Sequence, residues 1–597
     1  MNHFLSGWLR HTVTCLLIAT ATPSVTAQSN SVSAQPFFIT PIIEWFGFCN
    51  AGAAEKTADA AYNLCKQRKD HGVAELKAAL DAMEPGGARG KVQVGYTVGF
   101  NLLTLQQDGP QIAFERLSTA LAQIDRPAVI YLFANHFATT TMRKPLGVDS
   151  MARFADQSIP SEKYFGGGVA PVTLDASPEL EVNRLRLDAL KLIGQWFREL
   201  PASSKARVIG ITLAGELHHF YDDFSAGMSR YDGIRVSDYS PRARLAFQGW
   251  LRNRYPSIEA LNQALGTRHI DFSTVMPPSK DIRAQKNASL SEHFDSYAHG
   301  VVPIDGWLEK LPVGHSIRVY VNGQAVGTAE YGLSRQDVYE VVGSVKRAQV
   351  GFRYLLDFSK LSRGSHHVQV VVEGPQGFLL AERDLLVMTG SKRPGATTNP
   401  RPRRPPGAPK DLRFYLERPN NQLTLFYNPL AKDWLAFREQ QVTQAYNAWF
   451  DWAVQSGLPA DKLFSHQIAV KLFGGWNPVL FASDASIQGK QRYKKGINLY
   501  GGTASMALLR RHYLEPGEPF AVPEFHTQAW KDPSVARQVL AELQHGGAVF
   551  VTPYFISMAP DKFRSPNNDH DKFRVAPDNP AYGSDHFYRA IVDAAKD

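Results

Sequence analysis

Cysteine is almost missing: there are three in 597 residues, and one of them, Cys15, falls within the first 27. The other two, Cys49 and Cys65, cannot build a multi-cysteine cage, which excludes a structural zinc of the thiolate kind. No run of about 18 uninterrupted apolar residues occurs, so the sequence offers no membrane span. The phosphate cradle G-x-x-x-x-G-K-[ST] and the nucleophile elbow G-x-S-x-G are also missing, which argues against nucleotide-dependent and esterase chemistry. Acids are outnumbered by bases, but the net charge of +9 is local. Arg10 in the leader, and Lys392, Arg393, Arg401, Arg403, Arg404 and Lys410 in an acid-free stretch, account for most of it. The remainder is nearly neutral, so a basic face for nucleic acid is not indicated.

The chain is long enough for several domains and a large buried core, and its 44% hydrophobic and 20% charged residues exclude a disordered chain. Aromatics at 11% suit either a protein that grips sugar rings or a big core. Residues 1–27 read as a signal peptide: Arg10 and His11, an apolar run from Val13 to Ala19, then Val25-Thr26-Ala27 as a small-residue cleavage site. The expected location is periplasmic or secreted. There Cys49 and Cys65 either close a short disulfide loop or remain two buried thiols.

Eight short apolar runs alternate with helical stretches: Phe37–Ile43, Val92–Val98, Ala128–Ala134, Val208–Ala214, Leu463–Ile468, Gly496–Tyr500, Phe520–Glu524 and Gly547–Tyr554. Near-continuous apolar strands separated by helices predict a parallel sheet covered on both faces. Eight of them match an α/β fold of the (β/α)8 TIM-barrel type. Helices are expected over 179–200, over 242–254 behind Ser240-Pro241, and over 257–265 up to Gly266. Residues 303–390 differ. Ile317 to Val321 alternates sides, Asn322-Gly323 marks a hairpin, and further strands follow, which predicts an antiparallel, Ig-like β-sandwich. The proline-rich, basic stretch 391–411 reads as an extended spacer. The expected plan is barrel over 28–302, sandwich inserted after the fourth strand, spacer, then barrel again over 412–597.

Catalytic residues of such barrels lie at the C-terminal ends of strands. Two glutamates stand there: Glu216 after the fourth strand and Glu524 at the end of the seventh. Paired carboxylates across a barrel mouth are what glycoside hydrolysis needs. A separation of about 5 Å retains the anomeric configuration, and a gap of roughly 6.5–9.5 Å inverts it.

The segment Phe247-x-x-Trp250-Leu251-x-x-x-Tyr255-x-x-Ile258-x-x-Leu261-Asn262-x-x-x-Gly266-Thr267 resembles the region after strand four in family 42 β-galactosidases, clan A retaining enzymes on a (β/α)8 barrel. The resemblance implies Glu216 as acid/base and Glu524 as nucleophile, acting on β-linked oligo- or polysaccharide without a cofactor. It also implies that Tyr500, ending strand six, hydrogen-bonds the nucleophile. There are departures. Gly215 stands where the clan usually has Asn before the acid/base, the zinc-binding cysteine cluster of some members is missing, and the inserted sandwich is extra.

Further substrate-binding candidates follow from position. They are Asn135 and His136 after strand three, His466 ending strand five, and Trp476 and Trp530 on later loops as platforms for sugar faces. Glu44 and Trp45 end the first strand at the same side. His218 and His219 read as loop residues in solvent, and no metal site is expected. The sandwich would frame the cleft or mediate contacts within a homo-oligomer. The rival reading is a non-catalytic glycan-binding or envelope structural protein on a barrel scaffold.

Overall fold

The apolar runs form two arcs of parallel strands. In the first, Phe37–Ile39 lies between Val92–Val94 and Ala548–Pro553, and the arc continues through Phe520–His526 and Ile497–Tyr500 to Gln467–Ile468. In the second, Tyr96–Asn101, Ala128–Phe133, Val208–Thr212 and Leu463–Phe464 pair in that order. The arcs meet in two segments, because only Gly95 separates the first arc's Val92–Val94 from the second's Tyr96–Asn101, and Ser465-His466 does the same at the other end. The result is a curled sheet in a mixed α/β molecule. Phe38, Val129, Ile209, Phe464, Ala521 and Phe550 pack as one cluster across it. Gly210 makes room there, since a Cβ on it would come within 2.8 Å of the Phe550 ring.

The computed structural model describes residues 36–596 except 69, 108, 134–136, 140–144, 165–166, 220, 222–226, 389–404, 502–505 and 565–569. From residue 36 onward the chain clusters as one unit. Asn135 and His136 lie outside the described residues, as do the leader and residues 391–404 of the basic spacer. Among the described residues no helix is long and apolar enough to cross a membrane.

Helices cover the outer face. Glu181–Glu199, Pro241–Arg254 and Ile258–Leu265 form where periodicity placed them. Ser240 and Ser257 cap the latter two, accepting from Ala243 N and Ala260 N, and Gly266 closes the last in the left-handed region. The longest helix, Pro429–Gln455, has no counterpart in the sequence reading. Trp434, Phe437, Tyr446, Trp449 and Phe450 are buried around much of its circumference, so it has no broad polar face to mark a period.

An eight-stranded, largely antiparallel sheet has its own apolar core, with Val302, Ile304, Val319, Phe352, Val370 and Leu385 at its centre. Its hairpin turns at Asn322 (φ 50°) and Gly323 (φ 82°), the left-handed pair that a two-residue turn of this kind requires. The sheet reaches beyond residue 390. Phe414–Arg418 pairs with Val301–Leu308 at one edge, and Leu423–Phe426 with Phe378–Met388 at the other. The stretch 412–426, expected among the parallel strands, instead completes the antiparallel sheet. Arg353 in this sheet donates from Nη2 to the carbonyls of Phe473, Gly474 and Trp476, which fixes the loop carrying Trp476.

Candidate active site

Glu216 owes its place to two consecutive left-handed residues after Val208–Thr212, Ala214 (φ 66°) and Gly215 (φ 83°), which turn the chain out of the strand. A Cβ at 215 would stand 2.9 Å from the Tyr131 hydroxyl, so the backbone and Tyr131 together favour glycine where the resemblance leads one to expect Asn. The turn is braced from behind: Tyr446, on the long helix, donates its hydroxyl to the Gly215 carbonyl at 2.6 Å.

Oε1 of Glu216 accepts from Asn498 Nδ2 at 2.8 Å and from the Tyr500 hydroxyl. Asn498 and Tyr500 are two apart on one strand and so share a face. The Tyr500 hydroxyl also lies 3.4 Å from Oε1 of Glu524. Because one oxygen reaches both groups, the two Oε1 atoms are at most about 6 Å apart. Tyr500 was expected on Glu524; its closer partner is Glu216.

Glu524 is held from two sides. His466 Nε2 lies 3.1 Å from Oε2 and His526 Nε2 lies 2.8 Å from Oε1. A carboxylate only accepts, so both ring nitrogens carry hydrogens. The strand runs two residues past Glu524, which puts His526 on the same face; sequence reading ended the strand too early to include it. His466 is fully buried, stacked on Tyr131 at 4.3 Å, with Nδ1 3.4 Å from Thr212 Oγ1. It supports Glu524 from beneath and has no surface to offer a sugar, contrary to the expected role.

The electrostatics of the pair are asymmetric. Burial, and then the neighbouring charge of Glu524, push the Glu216 carboxyl well above its usual range, while Asn498 relieves it only in part. Burial works against a charge on Glu524 too, but the hydrogen bonds from His466 and His526, and then their electrostatic interaction with it, hold it well below that range. Two carboxyls with opposite protonation states thus face each other near neutrality.

Both line an open cleft of about 800 Å³, with Glu44, Asn101, Tyr131 and Tyr554 among its walls. Glu44 lies 3.5 Å from His570, and burial followed by the charge of Asp571 pushes its carboxyl up to about 7. Trp476 is half-buried, stacked 3.9 Å from Phe473, with its ring centre 6.2 Å from that of Tyr500; it packs behind Tyr500 and does not line the cleft. Trp530 is elsewhere. It is 4% exposed, donates Nε1 to the Gly501 carbonyl, and packs on Phe525 and Phe587; it is core support for the seventh strand and not a platform. His218 and His219 are buried, not solvated, and His219 faces the Arg438 carbonyl at 3.0 Å. Cys49 and Cys65 form a disulfide.

Residues 230–300 match the family model of the glycoside hydrolase family 42, described as beta-galactosidase. The match contains the Pro241–Arg254 and Ile258–Leu265 helices and ends outside both glutamates. The chain is thus distantly similar to the family 42 glycoside hydrolases. No curated protein matches it.

Proposed function

We propose that this protein is a retaining glycoside hydrolase that cleaves β-linked oligo- or polysaccharide, β-galactosidase-like, outside the cytoplasm. The observation that carries the reading is the Tyr500 hydroxyl touching both carboxylates. It brings one oxygen of each within about 6 Å of the other, which favours the close pair of a retaining enzyme over the roughly 6.5–9.5 Å carboxyl separation that leaves room for an inverting water. The proposed fold is a (β/α)8 barrel built from the two parallel arcs, with the antiparallel sheet as an Ig-like insertion after the fourth strand. The shared segments 92–101 and 463–468 support that closure.

In the first step Glu216 gives its proton to the glycosidic oxygen while a Glu524 oxygen attacks the anomeric carbon. The bond from that carbon to the leaving oxygen breaks, and a glycosyl ester on Glu524 forms. In the second step the Glu216 carboxylate takes a proton from water, whose oxygen displaces Glu524 from the same carbon. Two inversions retain configuration, and Glu216 is again protonated. His466 and His526 keep Glu524 ionised before attack and stabilise it as the leaving group afterwards. The two-carboxylate chemistry calls for no cofactor.

The test is release of reducing sugar from aryl β-glycosides and from bacterial and plant polysaccharides, with wild type, Glu216→Ala and Glu524→Ala side by side. Turnover by wild type and its loss in both folded variants is expected. Activity that survives Glu524→Ala would remove the proposed nucleophile, and silence from wild type on the whole panel would favour the glycan-binding alternative.

A further inference from the structure

The cleft holding the two glutamates extends past Phe46 and Tyr62 to a wall formed by Lys66 and the helix Pro110–Gln123. Arg116 stands in that wall and is 5% exposed. Its Nη1 donates to the Phe46 carbonyl at 2.7 Å and to the Tyr62 hydroxyl at 2.9 Å. Its Nε and Nη2 are buried with no hydrogen-bond partner among the described residues, so no carboxylate there neutralises it through that edge. The Tyr62 and Phe46 rings lie 5.1 and 5.7 Å from its Cζ and stabilise the cation in part, but they leave the two N–H groups of that edge unsatisfied, which is costly for a buried guanidinium.

The geometry of the vacant edge says what. Nε–H and Nη2–H run side by side and form the fork that fits two oxygens of one anion. Elsewhere in this chain the same edge grips carboxylates. Arg68 holds Asp70 at 2.9 and 2.7 Å, Arg283 holds Asp281 at 3.1 and 3.0 Å, and Arg335 holds Asp337 at 2.9 and 2.5 Å. Arg116 carries the same edge with no carboxylate of the described residues on it.

Its seat is built. Gly47 (φ 96°) passes so close that a Cβ on it would fall 2.1 Å from the Arg116 Cζ. Tyr62 lies on the helix Ala58–Lys66, which the Cys49–Cys65 disulfide ties to the Gly47 loop. Lys66 ends that helix, with its Nζ 4.7 Å over the Tyr62 ring. The Pro110–Gln123 helix starts on the same wall at Gly109, with no side-chain cap and no acid in its first turn, which adds positive potential. The described acids of the cleft are Glu44, Glu216 and Glu524: the latter two share Tyr500, and Glu44 lies against His570.

We propose that this wall is an anion subsite and that the glycan taken by the cleft is acidic, its uronate carboxylate or sulfate ester gripped by the free edge of Arg116 with Lys66 beside it. The edge is buried beside the Gly47 backbone, so the anion engages it only with a shift of the Gly47 loop or of Arg116 itself. The proposal rests on the glycosidase reading for the rest of the ligand, and the experiment therefore reads binding and not turnover.

Full-length Glu524→Gln protein is titrated calorimetrically at pH 6 with three tetrasaccharides. They are hyaluronan, its carboxyl-reduced neutral counterpart, and carboxyl-reduced chondroitin 6-sulfate. At least one anionic probe is expected to bind about ten-fold or more tightly than the neutral one, and the better of the two identifies carboxylate or sulfate as the group. Adding Arg116→Gln or Lys66→Gln should each reduce that preference without weakening the neutral probe. Lys66 is only half-buried, so its variant guards against a folding defect at Arg116. Equal binding of all probes, binding of none, or a preference that survives both substitutions would overturn the subsite. Failure of wild type to hydrolyse any glycan would count against the glycosidase reading alone and leave the binding result intact.

Discussion

Replacing Glu524 by Gln should lower the proton affinity of Glu216, by an amount the geometry sets. Burial and the Glu524 charge together push Glu216 up to about 8. The substitution removes the charge but leaves the burial. Two unit charges at most about 6 Å apart, in an effective dielectric of about 20, interact by about 3 kcal/mol, which corresponds to about 2 in pKa. Removing a negative neighbour makes ionisation easier, so the midpoint should fall, while the remaining burial keeps it above that of an ordinary glutamate. Infrared difference titration from pH 4 to 10 follows the carbonyl stretch of the protonated acid, with Glu216→Gln in the same background assigning the band. A midpoint left at about 8 would show that the two carboxyls do not sense each other across the cleft, and the mechanism built on that pairing would fall.

Three other variants give outcomes open to measurement. In His526→Ala the Glu524 carboxylate loses a hydrogen bond and a favourable electrostatic neighbour, so its pKa rises; activity needs it ionised, and the acid limb of the kcat/KM profile should move to higher pH. The same change has a stability counterpart. A depressed carboxylate stabilises the fold above its unfolded pKa and loses that contribution as pH falls through the folded value, so acid unfolding should begin at higher pH in the variant. Gly215→Asn places a side chain at φ 83° against Tyr131 and should cost about 1–3 kcal/mol in denaturant unfolding while lowering kcat more than KM changes. Cys49 and Cys65, separated by 16 residues, close a loop whose opening should cost about 3 kcal/mol in a Cys49→Ser/Cys65→Ser double variant by the same assay.

The parallel strands are legible because each is a dense apolar run, and Glu216 and Glu524 stand out as carboxylates ending such runs. What escapes is the second layer of contacts. His526 lies beyond the point where apolar character stops, although the strand continues, and Asn498 sits inside a run where only its distant partner Glu216 gives it meaning. His466 at the end of strand five and Trp530 on the loop after strand seven are read with the wrong exposure, because sequence position does not tell whether a side chain points at solvent or supports a neighbour. The Pro429–Gln455 helix is hidden by its own aromatics. Residues 414–426 join the antiparallel sheet through long-range edge pairing with strands far away in sequence, which local patterning does not encode.

The central claim is that Glu524 becomes covalently attached to the sugar. Incubating the protein with 2,4-dinitrophenyl 2-deoxy-2-fluoro-β-glycosides and mapping peptides by mass spectrometry tests it directly. A glycosyl adduct on Glu524, missing from Glu524→Gln and discharged on transfer to fresh acceptor, is the result the account predicts. Turnover of the parent glycosides with no adduct on Glu524, or with the label on another carboxylate, would contradict it.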